Sequence, residues 1–322
     1  EDGVEFRRAR LDIRGKVFGN VEWRTEYDFA GGDADFRNVY IGLLDVPVVG
    51  NIRAGYFEQP ISLEKINSNS YMTFIERASL NGLLPGDDTG VMFHKREFDG
   101  RLSWSAGVFR NVDSFGDAPD NDSWNLTGRV TGVPWSAGEG RRLLHLGAGF
   151  SHQDPGTETL SFGSRPECHL VDTMVTTGDM DLNSAETASV EGALVWGPLS
   201  VQGEYVHCWV REQRDADEDP DFHGFYVYVS YFLTGEHRPY DRSDGTFSRV
   251  RPERNFGGGE NPGPGAWELA LRYSHLDLDT KSVDGGELEN VTAGVNWYLN
   301  PYARVMFNYV FADVEDVGDM NI

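Results

Sequence analysis

The sequence predicts an all-β chain, a transmembrane antiparallel β-barrel, and three observations carry that reading. Apolar and polar residues alternate with period two in about fourteen runs, each near the ~10 residues a tilted strand needs to cross a bilayer. The polar face of these runs holds Arg, Glu and Asp at mid-strand, as a wet lumen allows. Aromatic residues gather near run ends (Trp23, Tyr27, Phe29, Trp196, Trp209, Tyr231, Trp267, Trp297, Tyr298, Tyr302), where an interfacial girdle would lie. A soluble sandwich with one wet face is the competing reading, but its strands run only ~5–6 residues.

The runs follow in chain order. In the first, Val4 to Phe18, the residues Ala9, Leu11, Ile13 and Val17 alternate with Arg8, Arg10, Asp12, Arg14 and Lys16. In the second, Val21, Trp23, Thr25, Tyr27 and Phe29 alternate with Glu22, Arg24, Glu26 and Asp28. The next are Phe36 to Asp45, Asn51 to Glu58, Gly90 to Glu97, Arg101 to Asn111, Ser123 to Val133 and Leu143 to Gln153. The second half adds Thr187 to Trp196, Leu199 to Val210, Phe222 to Phe232, Ala266 to Leu278, Leu288 to Leu299 and Tyr302 to Val314. Tight connections such as Gly19-Asn20, Gly197-Pro198 and Asn300-Pro301 alternate with long ones. Tight turns at one end and long loops at the other are the outer-membrane pattern.

Three insertions are long. Residues 59–87 carry a helix-like stretch starting near Ser62, Leu63, Glu64 and Lys65. They cannot cross lipid unpaired, so they project outward or fold inward and narrow the pore. Residues 154–183 form a second long loop, and residues 234–265, rich in Gly, Pro and Arg, a third. The acidic stretches Asp117 to Asp122 and Asp215 to Asp221 read as solvated loop tips.

Composition narrows the function classes. The 322 residues are 39% hydrophobic with a mean hydropathy of −0.45, and no apolar run reaches the ~20 residues of a membrane helix. Aromatics at 12% exclude a disordered chain. Low hydropathy is compatible with a barrel that alternates lipid-facing and water-facing side chains. Lys+Arg total 28 against 52 Asp+Glu, a formal charge of −24, which argues against nucleic acid as partner without setting the field at any one site. Cys168 and Cys208 fit no metal spacing and either pair or stay free. No signal peptide is visible, so the chain reads as mature or trimmed. Neither His207-Cys208 nor Glu236-His237 has partners at metal-ligand spacing, and no nucleophile-elbow motif appears. The sequence therefore calls for no catalytic residue, cofactor or metal.

Several segments share a pattern: LTGEHRPY at Leu233 to Tyr240, FSRVRPERNF at Phe247 to Phe256, AWELALRYSHLDL at Ala266 to Leu278, and GGELENVTAGVNWYLNPYARVMFNYV at Gly285 to Val310. RAGYFEQPISLE at Arg53 to Glu64, TFIERASLNGLLPG at Thr73 to Gly86, FRRARLDIRGKV at Phe6 to Val17 and SRPECHLVDTMVTTG at Ser164 to Gly178 extend it over most of the chain. These stretches resemble the phosphate-selective porins O and P of Gram-negative outer membranes. The resemblance implies a barrel of 16 strands, usually a homotrimer, with loop three folded into the pore and phosphate or polyphosphate as solute. About fourteen strands are visible here, and the resemblance suggests that one is missing from each end; a fourteen-stranded variant is the alternative.

Residues 1–322 are thus expected to form one barrel domain, with 59–87 as the constriction loop. The expected function is passive diffusion of small hydrophilic solutes, anions preferred, across the outer membrane. Guanidinium groups can replace the hydration an anion loses on entering a narrow lumen, and several weak sites in series pass it onward. By alternation the lumen-facing cations are Arg8, Arg10, Arg14 and Lys16, with Arg7 in the same dense cluster. Arg24, Arg53, Arg129, Arg272 and Arg304 follow on later strands, and Lys65 and Arg77 on the constriction loop. The alternative role for each Arg is a wall residue paired with Glu or Asp across the lumen. Two other functions compete: a plugged structural or adhesion barrel, and a β-rich carbohydrate-active enzyme.

Overall fold

A computed structural model describes residues 3–118, 122–212, 219–257, 262–315 and 318–321. Its main sheet is an antiparallel meander in which neighbours in space are neighbours in the chain. The strands are β1 (Arg10–Val17), β2 (Val21–Asp28), β3 (Asp35–Val46), β4 (Gly50–Glu58), β5 (Asp87–Glu97), β6 (Leu102–Arg110), β7 (Trp124–Ala137) and β8 (Arg142–Asp154). They continue with β9 (Met180–Trp196), β10 (Leu199–Glu212), β11 (Asp221–Phe232), β12 (Ala266–Asp279), β13 (Asp284–Asn300), β14 (Ala303–Val314) and β15 (Gly318–Asn321). A two-residue strand, Thr159–Leu160, pairs with the start of β9. The acidic stretches at Asp117 to Asp122 and Asp215 to Asp221 fall partly outside the described residues.

The alternation sorts the two faces as a membrane wall requires. Leu11, Ile13, Ile41, Leu146, Leu271 and Phe307 point away from the interior and are at least half exposed. Facing the other way, Arg129, Glu191, Glu204, Glu268 and Arg272 are buried. A soluble protein reverses this arrangement, because burying ionised groups is costly unless they are paired. Among the described residues no helix is long and apolar enough to cross a membrane; the crossing rests on strands. Aromatic pairs mark the tight-turn end: Trp135 stacks on Trp196 (5.6 Å between centroids) and Trp267 on Trp297 (5.1 Å).

Strand order places the connections. Those after β1, β3, β5, β7, β9 and β13 are tight turns at one end; at the turn after β9, Gly197 takes φ +60°, a conformation that favours glycine. The connections 59–86 and 155–179 are long and lie at the opposite end. The segment 233–265 corrects the expected asymmetry. It follows β11 and therefore starts from the tight-turn end, yet it is long. It avoids projecting by turning into the lumen, where its polar backbone finds partners.

The sheet wraps around these segments. Glu76 of 59–86 pairs with Arg7 (2.7 Å) near the start of the wall. The Asn308 Oδ1 of β14, near its end, accepts the Ile75 N–H (2.8 Å). One inward loop thus touches both ends of the meander. At the long-loop end the lumen face turns apolar: Leu182, Val206, Cys208, Phe222, Leu276 and Leu288 pack under Ile61, Leu80, Leu83, Phe162 and Val175. Both cysteines are free thiols.

Candidate permeation pathway

The constriction segment enters through a sharp turn at Ser62 (φ +66°), whose Oγ accepts the Lys65 N–H (3.2 Å) to cap the short helix Leu63–Ile66. The Leu63 and Glu64 N–H groups, unpaired within the helix, donate to the Glu204 carboxylate of β10 (2.9 and 2.6 Å). Glu64 accepts the Ala78 N–H (2.8 Å) and Asn81 Nδ2 (2.9 Å), which folds the segment back on itself. Arg77 closes the same fold by donating to the carbonyls of Glu64, Lys65 and Asn67. Wall residues then hold the loop down. Asn296 donates to the Thr73 carbonyl (2.7 Å), and Arg304 to those of Met72 (2.6 Å) and Asn69 (3.1 Å). Gly149 of β8 lets it lie flush, since a Cβ there would sit 2.9 Å from Ile61.

The other two inward segments dock on the same side. From 155–179, Glu167 is buried against Arg272, Ser274 and Thr292 of β12 and β13. From 233–265, the Asp244 and Gly245 carbonyls accept from Arg129 (3.3 and 3.0 Å). The Tyr240 hydroxyl meets His145 Nδ1 (2.7 Å), and Arg238 covers Phe247 at 3.7 Å. The segments from opposite ends meet where the Phe247 N–H donates to Asn67 Oδ1 (3.1 Å). They pack densely on the lumen face of β7–β14 and touch that of β1–β6 at fewer points, at Glu76 beside Arg7 and Arg8, at Gln59 on Asp88 and at Asp244 near Arg53.

This division sorts the cations expected on the pathway. Arg129 and Arg272 face inward, but their side chains are only 4% and 1% exposed. Arg129 lies on Glu191 (3.1 Å). Arg272 spans Glu167 and Glu64 and rests over Phe74 at 4.3 Å. The expectation that both line the open path is corrected: the inward segments seal them. Arg77 and Arg304 are likewise spent on loop carbonyls, and Lys65 sits half-buried on the loop helix.

The remaining expected cations stand on β1, β2 and β4 or just before β1. Arg7 and Arg8 reach Glu76 (2.7 and 3.4 Å). Arg10 reaches Asp28 (2.8 Å) and Glu26 (3.6 Å), and Arg24 reaches Asp12 (3.0 Å) and Glu26 (2.9 Å). Arg53 approaches Glu22 (3.5 Å) and stacks over Tyr40 at 4.1 Å, while its Nε has no hydrogen-bond partner among the described residues. Arg14 and Lys16 are exposed. Burial lowers Arg8 to about 10, so it stays protonated at neutral pH. Within the inward segments, burial raises the Glu64 carboxyl against the pull of Arg272, and raises Asp244 against that of Arg53.

Sequence reasoning missed Arg37, which reaches Asp87 (3.4 Å) from β3. A bulge between β2 and β3 at Glu26/Tyr27 shifts the register and hides its parity. It also missed Arg96, near Arg53 and Asp244, although Arg96 shares the parity of Met92 and His94. Counting connections along the chain puts 233–265 at the tight-turn end, which its richness in Gly, Pro and Arg does not indicate.

Comparison with known proteins places this architecture. Residues 1–321 match the family described as phosphate-selective porin O and P. Porin O of Pseudomonas aeruginosa is 26% identical over 99% of this chain and 79% of its own length. Among solved structures, a loop L8 deletion mutant of OmpT, an outer membrane protein of Vibrio cholerae, superposes with a TM-score of 0.61 at 15% identity, covering 99% of this chain and 89% of that one. In-vitro folded OmpT in its trimer form gives 0.55 at 15% identity over 98% and 85%. At these identities the structures establish the fold alone, an outer-membrane β-barrel. The alternating wall, the inward loops and the full-length family match lead to one conclusion: this chain belongs to the phosphate-selective porin O and P family of the Gram-negative outer membrane.

Proposed function

We propose that the chain is an anion-preferring diffusion channel, not an enzyme, whose solutes pass along the lumen face of β1–β6. The observation that carries the reading is the row Arg8, Arg10, Arg14 and Lys16, extended by Arg24, Arg37 and Arg53, whose side chains stay partly or fully exposed on the wall that the inward segments cover least. The neighbouring carboxylates hold several of these groups in place. An anion can exchange hydration for such donors step by step without meeting one deep trap. The family description supports a small inorganic anion such as phosphate as solute, and the trimer form of OmpT supports a homotrimer.

Planar-bilayer recording tests the reading. Discrete conductance steps, with a zero-current potential in a salt gradient on the anion side, are expected. Phosphate should reduce the chloride current by occupying the same path. A second reading, a plugged structural barrel, is favoured by the depth to which three segments fill the β7–β14 half. Correctly inserted protein without conductance would establish it.

A further inference from the structure

The outer wall carries a cluster that the channel does not use. Toward the long-loop end of β10–β13 the two faces exchange character. The lumen side is apolar there, and the outward side carries titratable groups. His207 pairs across the sheet with His223, His223 with Asp277, His275 with Glu289, and Asp277 with Glu287. Three of the eight histidines of the chain thus stand on three adjacent strands on one face. Strand rise and tilt put His223 roughly 20 Å above the aromatic ring at Tyr231. That is about the height of the apolar band, so the cluster lies at headgroup level.

The donor atoms converge. Those of His223, His275 and Asp277 lie within 4.8 Å of one another, and so do those of His275, Glu287 and Glu289. His223 Nδ1 is 3.9 Å from Asp277, and His275 Nδ1 is 3.3 Å from Glu287 and 3.7 Å from Glu289. The Tyr273 hydroxyl orients Glu289 (2.7 Å), as outer partners orient metal ligands. Donors around a tetrahedral ion at ~2.0–2.2 Å stand roughly 3.3–3.5 Å apart, so side-chain rotation of about 1 Å closes either set. Spacing along the sequence conceals the arrangement: His275 and Asp277 stand two apart on β12 and Glu287 and Glu289 two apart on β13, but only register brings them to His223 of β11.

We propose that His223, His275 and Asp277, with Glu287 and Glu289 completing the shell around the shared His275, bind a divalent transition-metal ion of the zinc, nickel or copper class on the outer wall. Mixed imidazole and carboxylate donors select such ions over magnesium or calcium, which prefer all-oxygen shells. The bound ion ties β11, β12 and β13 together at the membrane interface, on the half of the barrel that holds the inward segments.

The test uses the chelator-stripped, detergent-folded full chain and Zn2+ in titration calorimetry, with Cu2+ electron paramagnetic resonance as a second readout. Saturable binding and nitrogen hyperfine splitting are expected. His275→Ala should weaken Zn2+ binding roughly 100-fold and His223→Ala roughly 10-fold. His152→Gln, elsewhere on the outer wall, should leave it unchanged. Heat-modifiable mobility on gels confirms that each variant is folded, and Asp277→Asn gives an isosteric check if an alanine variant fails to fold. Absence of saturable Zn2+ binding, an unchanged affinity in His275→Ala, or Ca2+ displacing Zn2+ at equal concentration would overturn the proposal.

Discussion

The β1–β6 and β7–β14 walls present the same residue types to the lumen and put them to different use. Arg24 and Arg272 share lumen parity, and each contacts two carboxylates. The Arg24 side chain is 24% exposed and that of Arg272 is 1% exposed. What separates them is the chain packed on top. Where 59–86, 155–179 and 233–265 cover the wall, an ion pair is buried and holds the loops. Where the wall is less covered, the ion pair stays wet. A lumen-facing arginine in this fold is therefore a pathway residue or a structural one according to the loop above it.

That contrast can be broken experimentally, beginning with its largest effect. Arg272→Ala leaves Glu167 and Glu64 buried without their shared cation, so stability in urea should fall by about 3–5 kcal/mol, followed by tryptophan fluorescence. The lipid side ranks next. Leu271→Arg, on the opposite face of the same strand, should destabilise the inserted barrel by about 2–4 kcal/mol near the bilayer midplane, measured by equilibrium folding into vesicles. Arg304→Ala frees two carbonyls of the constriction segment and should cost about 1–3 kcal/mol. Its single-channel conductance should rise and become noisier as the loop loosens; an unaltered trace would separate Arg304 from the constriction. The smallest stability change belongs to the less covered wall. Arg24→Ala should stay within ~1 kcal/mol, as exposed pairs do, yet lower the anion-to-cation permeability ratio. If Arg24→Ala unfolds the protein as readily as Arg272→Ala does, the two walls are not distinct.

Strands were legible because period-two alternation is enforced on both sides of a membrane wall. The run read as Asn51 to Glu58 is β4 within one residue, and Leu199 to Val210 is β10 within two. The failures have physical causes. The first expected run starts at Val4, but the described strand begins at Arg10, and Val4 and Phe6 are exposed. The expected loop 154–183 takes in Met180 to Asn183 and the expected run starts only at Thr187, although β9 begins at Met180. Its apolar residue Leu182 faces inward onto the loop core, the reverse of the pattern the reading looked for. Direction of facing was legible for the pathway cations, but coverage was not. Whether Arg129 is wet or sealed depends on the Asp244 and Gly245 carbonyls, more than a hundred residues away, and local alternation carries no information about that contact.

The central claim, that anions move along the cations of the β1–β6 wall, is tested most directly by the zero-current potential in a potassium chloride gradient. Arg10→Glu combined with Arg14→Glu should move it from the anion side toward the cation side, while Arg129→Gln, in any fraction that folds, should leave it in place. A potential that stays fixed in the double variant, or a wild-type channel already on the cation side, would contradict the account.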